Sequence, residues 1–196
     1  MMWQPRSTFT AQEREDRSKR LNASELGDIA RGDWDTLYRA KTEGIEPDLS
    51  LVLPVQLGKY TEPFHIGWLT HVHSMDIKPT EHYSRILTYV EGHPMLCCTT
   101  DGMVRIDGEW YPLELKHVSQ WTRSMSSAID KYLPQLLGQM YCTGTRQAML
   151  SVIFGNAYQE FTVVHWDQGA WDHLSRMIGI FWSGVRNRTP PEKPTW

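Results

Sequence analysis

Residues 99–118 constrain this chain more tightly than any other segment. They read Thr99-Thr100-Asp101-Gly102, then Asp107-Gly108, then Leu113-Glu114-Leu115-Lys116. Asp-Gly is a two-residue hairpin signal, because a type I′ turn needs positive φ at both central positions. The flanking stretches Met103 to Ile106 and Trp110 to Lys116 are therefore expected as antiparallel strands, the second returning beside the Asp101 end. Side chains alternate along a strand, so Leu113 and Leu115 share one face while Glu114 and Lys116 share the other. The apolar pair can enter a core as the charged pair meets a ligand. Carboxylates such as Asp101 and Glu114 suit a hard Mg2+ or Mn2+ ion. A lysine beside them can orient or help deprotonate water, a layout that suits phosphodiester hydrolysis. The same strand, taken alone, also fits a solvated face with a surface ion pair.

Around this hairpin the pattern alternates helices and strands. Thr10 with Glu13 fits a capping box that opens a charged helix through Arg20. Asn22 or Ser24 can cap a short helix through Ile29. Trp34 to Lys41 predicts another, closed near Gly44. Residues 45–54 contain two prolines and read as a loop. Leu57 to His73 predicts a longer helix, with Pro63 in its first turns. Strands are expected at Arg85–Val90, Met95–Thr99, Ala148–Phe154 and Glu160–His165, and a helix at Ser126–Thr143. Trp171, Leu174, Ile178, Phe181, Trp182 and Val185 recur at a helical period and predict a closing helix. The order predicts one α/β (α+β) domain over residues 1–188, a mixed central β-sheet flanked by helices. Thr189 to Trp196, rich in proline, reads as a loose tail.

Composition narrows the function. The 196 residues carry a net charge of -3, so an overall basic nucleic-acid footprint is absent. An acidic metal site is compatible with that balance, since bound cations restore local positive potential. Three cysteines, Cys97, Cys98 and Cys142, cannot ligate a four-cysteine iron–sulfur cluster and argue for a reducing compartment. No apolar run is long enough to span a bilayer and the N-terminus lacks a signal-peptide pattern, so the expected location is cytoplasmic. His65, His71 and His73 are read as surface histidines of a helix rather than a zinc cluster, there being no cysteine nearby in sequence to complete one. Trp110, Tyr111 and Trp121 suit hairpin packing, and also stacking on bases.

Five segments recur in an order known from one family, spanning about two thirds of the chain. They are Arg17 followed by Asn22-Ala23-Ser24-Glu25; Gly58-Lys59-Tyr60-Thr61-Glu62; Thr99-Thr100-Asp101-Gly102; Leu113-Glu114-Leu115-Lys116; and Tyr132-x-x-Gln135. In this the chain resembles the lambda-exonuclease/YqaJ-like viral recombinases of the PD-(D/E)xK nuclease superfamily. Thr100 departs from the family's proline, Leu137 from a frequent second glutamine, and His117 from the cysteine of some members.

The resemblance implies a restriction-endonuclease-like core and a catalytic set of Asp101, Glu114, Lys116, Glu62 and Gln135. Asp101, Glu114, Glu62 and the carbonyl of Leu115 would hold the metal, Mg2+ with Mn2+ as a substitute and two ions per site. Lys116 would position the attacking water, and Gln135 with Tyr132 would support Lys116. Arg17, Ser24, Thr99 and Arg123 would fall where the family holds a DNA 5′-phosphate, Arg123 lying one position off. The implied activity is 5′-to-3′ digestion of linear double-stranded DNA ends in phage-type recombination, leaving 3′ overhangs for a single-strand annealing protein. A ring-shaped homotrimer is implied with it. The alternatives are a CRISPR-associated or RecB-like nuclease without an iron–sulfur cluster, and a catalytically silent DNA-end-binding protein on the same fold.

Overall fold

A computed structural model describes residues 11–121 and 124–192. The chain runs α1 (Ala11–Ser18), β1 (Leu21–Asn22), a 3-10 turn (Ala23–Glu25), α2 (Leu26–Arg31), α3 (Trp34–Glu43) and α4 (Leu53–Val72). It continues through β2 (Ile77–Lys78), β3 (His82–Ile86), β4 (Met95–Thr99), β5 (Gly102–Ile106), β6 (Glu109–Val118), α5 (Met125–Thr143), β7 (Gln147–Phe154), β8 (Tyr158–His165) and α6 (Gln168–Asn187). The expected hairpin joins β5 to β6, with φ of 50° at Asp107 and 91° at Gly108.

The fold is mixed α+β, with its strands in two sheets rather than the one expected. A five-stranded sheet has the order β2-β5-β6-β7-β8, and a three-stranded sheet the order β1-β4-β3. Only β6–β7 in the larger sheet is parallel. A parallel pair needs a long crossover, and α5 supplies it. Side-chain alternation then sorts the layers. Leu113, Leu115 and Met149 face α4, joining Leu69 and Val104 in a small core. Leu150, Val152 and Phe154 face the other way, into the main core with Leu136, Met140, Ile178 and Phe181 of α5 and α6. Each fully buried Leu, Ile or Phe contributes about 1.5–3 kcal/mol relative to exposure, so the two cores clamp β6 from both faces.

Two boundaries differ from expectation for physical reasons. Helix α4 begins at Leu53, because Pro54 sits in its first turn, where a missing N–H breaks no intrahelical bond. Strand β3 covers His82–Ile86 rather than Arg85–Val90. Leu87 N–H bonds Pro94 O and Val90 N–H bonds Leu87 O, so these apolar residues are buried from a turn. Past α6 the expected loose tail starts by folding back, with Thr189 N–H donating to Gly184 O at 3.0 Å. The expected cap at Thr10 lies outside the described residues. Among the described residues no helix is long and apolar enough to cross a membrane.

Candidate active site

Strand β5 pairs with β6 only as far back as Gly102 opposite Leu113, so beyond that point β6 presents an open edge. Asp101 occupies it. Its backbone N–H bonds Leu113 O at 3.2 Å, and its Oδ2 accepts the Leu115 N–H at 2.8 Å. The N–H and C=O of one strand residue project to the same side, so the Leu115 carbonyl leaves β6 on this edge too. A cavity of about 1010 Å³ opens here, walled by β6, α4 and α5.

Glu114 points to the α5 side and is 2 % exposed. Its Oε1 accepts from Gln135 Nε2 at 2.6 Å and from the Lys116 ammonium, and its Oε2 accepts from Gln139 Nε2 at 2.5 Å. Gln139 is wholly buried and its own Oε1 has no partner. Turning that amide over would set two acceptors face to face, so Gln139 serves Glu114 as a donor. Lys116 Nζ also lies 4.9 Å from the Tyr132 ring centroid. Gln135 thus supports Glu114 directly rather than Lys116, while Tyr132 does lie beside the lysine.

The charges act on one another. Burial raises the Asp101 pKa well above the usual carboxylate range, and the charges of Glu114 and Glu62 add to it, against the Leu115 N–H and Lys116. Burial works to lower the Lys116 pKa, but the Glu114 carboxylate outweighs it and the net direction is up. Carboxylates that oppose one another's ionisation in a buried cleft are relieved by a cation. A hard divalent ion fits this donor set: the carboxylates of Asp101 and Glu114, the Leu115 carbonyl, and Glu62 on the facing helix. Among the described residues no three acidic, His or Cys side chains lie together as a metal-holding group.

The structure sorts the remaining expected residues. Ser24 and Thr99 line the cavity, and Thr99 Oγ1 lies 2.8 Å from His82 Nδ1. Arg17 is not on its wall. Its guanidinium donates to Glu25 at 2.8 Å and Glu46 at 3.2 Å, beside the buried Lys41–Glu25 pair at 2.8 Å. Its charge is matched there by two carboxylates, which argues against a direct grip on phosphate. Arg123 lies outside the described residues. Thr100, the departure from the resembled pattern's proline, donates its N–H to Glu81 O at 3.0 Å, a bond proline cannot make.

Three contributors were not anticipated. Gln139 stands one helical turn after Gln135, so an i, i+4 reading of α5 finds it. His117 joins α4 to the site strand, with Nδ1 3.1 Å from Thr61 Oγ1 and Nε2 2.8 Å from Gly155 O. His65, expected on the surface, is 2 % exposed, with Nε2 2.8 Å from Ser151 Oγ. Burial, with the His117 charge, pushes its pKa down to about 4. Its spacing from Glu62 puts it on the same inward face of α4. Trp121, by contrast, is 82 % exposed at the cavity mouth.

No protein-family model matches the chain and no curated protein matches it by sequence. Solved structures do match its backbone. An alkaline exonuclease from Laribacter hongkongensis, in complex with dAMP, superposes with a TM-score of 0.68 at 16 % identity, over 91 % of this chain and 94 % of that one. A further crystal structure of that enzyme gives 0.64 at 15 %, with the same coverage. A phage-related exonuclease from Haemophilus somnus 129PT gives 0.63 at 10 %, over 86 % of this chain and 96 % of that one. The chain has the fold of these exonucleases. At such identities it is the backbone path that is shared, across nearly the whole length of each partner.

Proposed function

We propose that this chain is a deoxyribonuclease that hydrolyses the ends of linear double-stranded DNA with Mg2+, Mn2+ serving as a substitute and two ions filling the site. The observation that carries this reading is the convergence of Asp101, Glu114 and Lys116 on the open edge of β6, in a fold shared with alkaline and phage-related exonucleases. Asp101, Glu114 and the Leu115 carbonyl would hold the metal, with Glu62 facing them. When bound, the metal supplies Lewis-acid charge at the phosphoryl oxygens and lowers the pKa of water.

The chain's own residues do the rest. Lys116, kept protonated beside Glu114, holds the attacking water and offers positive charge to the phosphoryl oxygens as their charge develops. Gln135 and Gln139 keep Glu114 aimed, and the Tyr132 ring beside Lys116 restricts where its ammonium can go. The hydroxyls of Ser24 and Thr99 donate to the terminal 5′-phosphate. Arg17 acts on that wall indirectly, through Glu25, which also accepts the Asn22 N–H at 2.9 Å in the turn that carries Ser24. The 5′-ended strand is then the one digested, leaving a 3′ overhang for a single-strand annealing protein, with a ring-shaped homo-oligomer enclosing the duplex. The dAMP complex of the Laribacter enzyme supports a nucleotide as the ligand of this fold.

The test is digestion of a linear duplex labelled at the 5′ or the 3′ end, with Mg2+ and with a chelator. The 5′ label should be released first as mononucleotide, and chelation should stop it. Release of the 3′ label first would reverse the polarity. No metal-dependent degradation of any linear DNA would remove the reading.

A further inference from the structure

A second cavity, of about 400 Å³, lies where α5 ends and α6 begins. Tyr141 and Trp171 form its aromatic wall, their rings stacked at 4.9 Å and 19°. Trp166 leans on Trp171 at 5.1 Å. Two guanidiniums reach this cavity from opposite parts of the chain. Arg85, on β3, lies 5.0 Å over the Tyr141 ring, and Arg146, just before β7, lies 4.8 Å over the Trp166 ring. Neither forms an ion pair among the described residues; Arg85 Nη1 donates only to Tyr141 O, at 3.1 Å. The carboxylates in the first turns of α6 are engaged elsewhere. Asp167 Oδ1 accepts the Ala170 N–H at 2.9 Å, and Asp172 Oδ1 accepts from Gln168 at 2.7 Å.

We propose that this Arg85–Arg146–Trp166 pocket binds the backbone phosphates of single-stranded nucleic acid on its two arginines, which the Tyr141 and Trp166 rings hold in place. Two like charges lining one small cavity without a carboxylate repel each other, and an anion relieves that repulsion. The planar guanidinium fork matches phosphate geometry, and stacking on ring faces holds each fork in orientation.

The position fits a strand that leaves the catalytic cavity. From Gln135, at the Glu114 carboxylate, to Tyr141 is a rise of about 9 Å along α5. From His82, which bonds the cavity residue Thr99, to Arg85 is about 10 Å along β3. Those spans correspond to a few nucleotides. In that respect the proposal rests on the nuclease reading and extends it to a second site for the strand.

The experiment titrates a short oligothymidylate into the protein in the presence of a chelator, read by tryptophan fluorescence. Wild type, Arg85→Ala/Arg146→Ala and Arg85→Lys/Arg146→Lys are compared, with circular dichroism confirming that each folds. The alanine pair should weaken binding roughly a hundredfold, about tenfold for each arginine–phosphate hydrogen bond removed. The slope of log affinity on log salt should shrink by about 0.7 per arginine. The lysine pair should recover the salt slope but only part of the affinity, because an ammonium has no planar fork to stack on a ring and pair with phosphate. Cleavage of a very short duplex, too short to reach the pocket, should stay at the wild-type rate. Unchanged oligonucleotide affinity in the alanine pair overturns the proposal. Competition by polyglutamate without any oligonucleotide binding overturns it too, in favour of an acidic protein partner. Because binding is measured without metal, a wild type that binds through the pocket but cleaves no DNA would fail the nuclease reading and leave the pocket standing.

Discussion

At the scale of single residues, the site depends on how Glu114 is held. Three donors converge on it, from Lys116, Gln135 and Gln139, so both its oxygens are hydrogen-bonded despite burial. Lys116 is the one donor that also brings a positive charge to the cavity wall. Lys116→Ala should keep metal affinity and lower single-turnover cleavage by roughly 10²–10³-fold, the loss expected for one preorganised donor at the developing phosphoryl charge. Arginine should rescue poorly, since its fork is larger and differently shaped. Near-normal turnover in the alanine variant would reduce Lys116 to an ion-pair partner. His65 gives a pH prediction of another kind. Its folded pKa is about 4, while an unfolded histidine titrates near ~6.5. The unfolded chain therefore takes up this proton first as pH falls. Stability present above about pH 6.5 is lost down to about pH 4, by up to ~3 kcal/mol. The raised pKa of Asp101 acts with the opposite sign, so the contribution is read as the difference between wild type and His65→Gln in denaturant titrations. A pH dependence identical in both would show that folding leaves the His65 pKa unshifted.

At the scale of elements, the packing that sets the cavity wall is that of α5 against the 3-10 turn. Gly138 sits at the crossing. A Cβ there would come within 2.6 Å of Leu26 Cδ1 and 3.0 Å of Ala23 Cβ. Leu26 can rotate, but Ala23 is held by the backbone and is followed directly by Ser24. Gly138→Ala should therefore cost about 1–3 kcal/mol through overpacking, despite the better helix propensity of alanine. It should also raise KM for duplex ends by displacing Ser24, while kcat falls less, because Gln135 and Gln139 stand on either side of the crossing. A stabilised variant with unchanged KM would mean that the turn moves freely away from α5. The β5–β6 hairpin works the same way on the other wall: its register puts Gly102 opposite Leu113 and so delivers Asp101 to the open edge.

At the scale of the molecule, a divalent cation should join what three separate regions contribute: Asp101 before β5, Glu114 and Leu115 in β6, and Glu62 on α4. Such a ligand binds only the folded chain, and at a hundred times its dissociation constant adds ~2.7 kcal/mol to stability. Mg2+ and Mn2+ should thus raise the thermal midpoint, and Asp101→Asn with Glu114→Gln should abolish the rise. A midpoint indifferent to both ions in the wild type would count against a metal site here, whatever the outcome of cleavage assays.

Several features were legible from sequence because they are local. The Asp107-Gly108 turn follows from backbone sterics within two residues. The opposite facing of Leu113/Leu115 and Glu114/Lys116 follows from the pleat, and the helical period of residues 171–185 from 3.6-residue geometry. Each is set by a few consecutive residues, whatever else the chain does. What tertiary structure alone decided involves partners far apart in sequence. Gln139 meets Glu114 across 25 residues because α5 is the crossover between two parallel strands. His65 is buried by Ser151, 86 residues on, because β7 is paired beside β6 under α4. Arg17 is drawn to Glu46, 29 residues away, as well as to Glu25. Residue spacing names the groups able to carry charge or donate a proton. Which of them meet, and which are neutralised elsewhere, is decided by the packing of whole elements, where burial makes an unmatched charge too costly to leave alone.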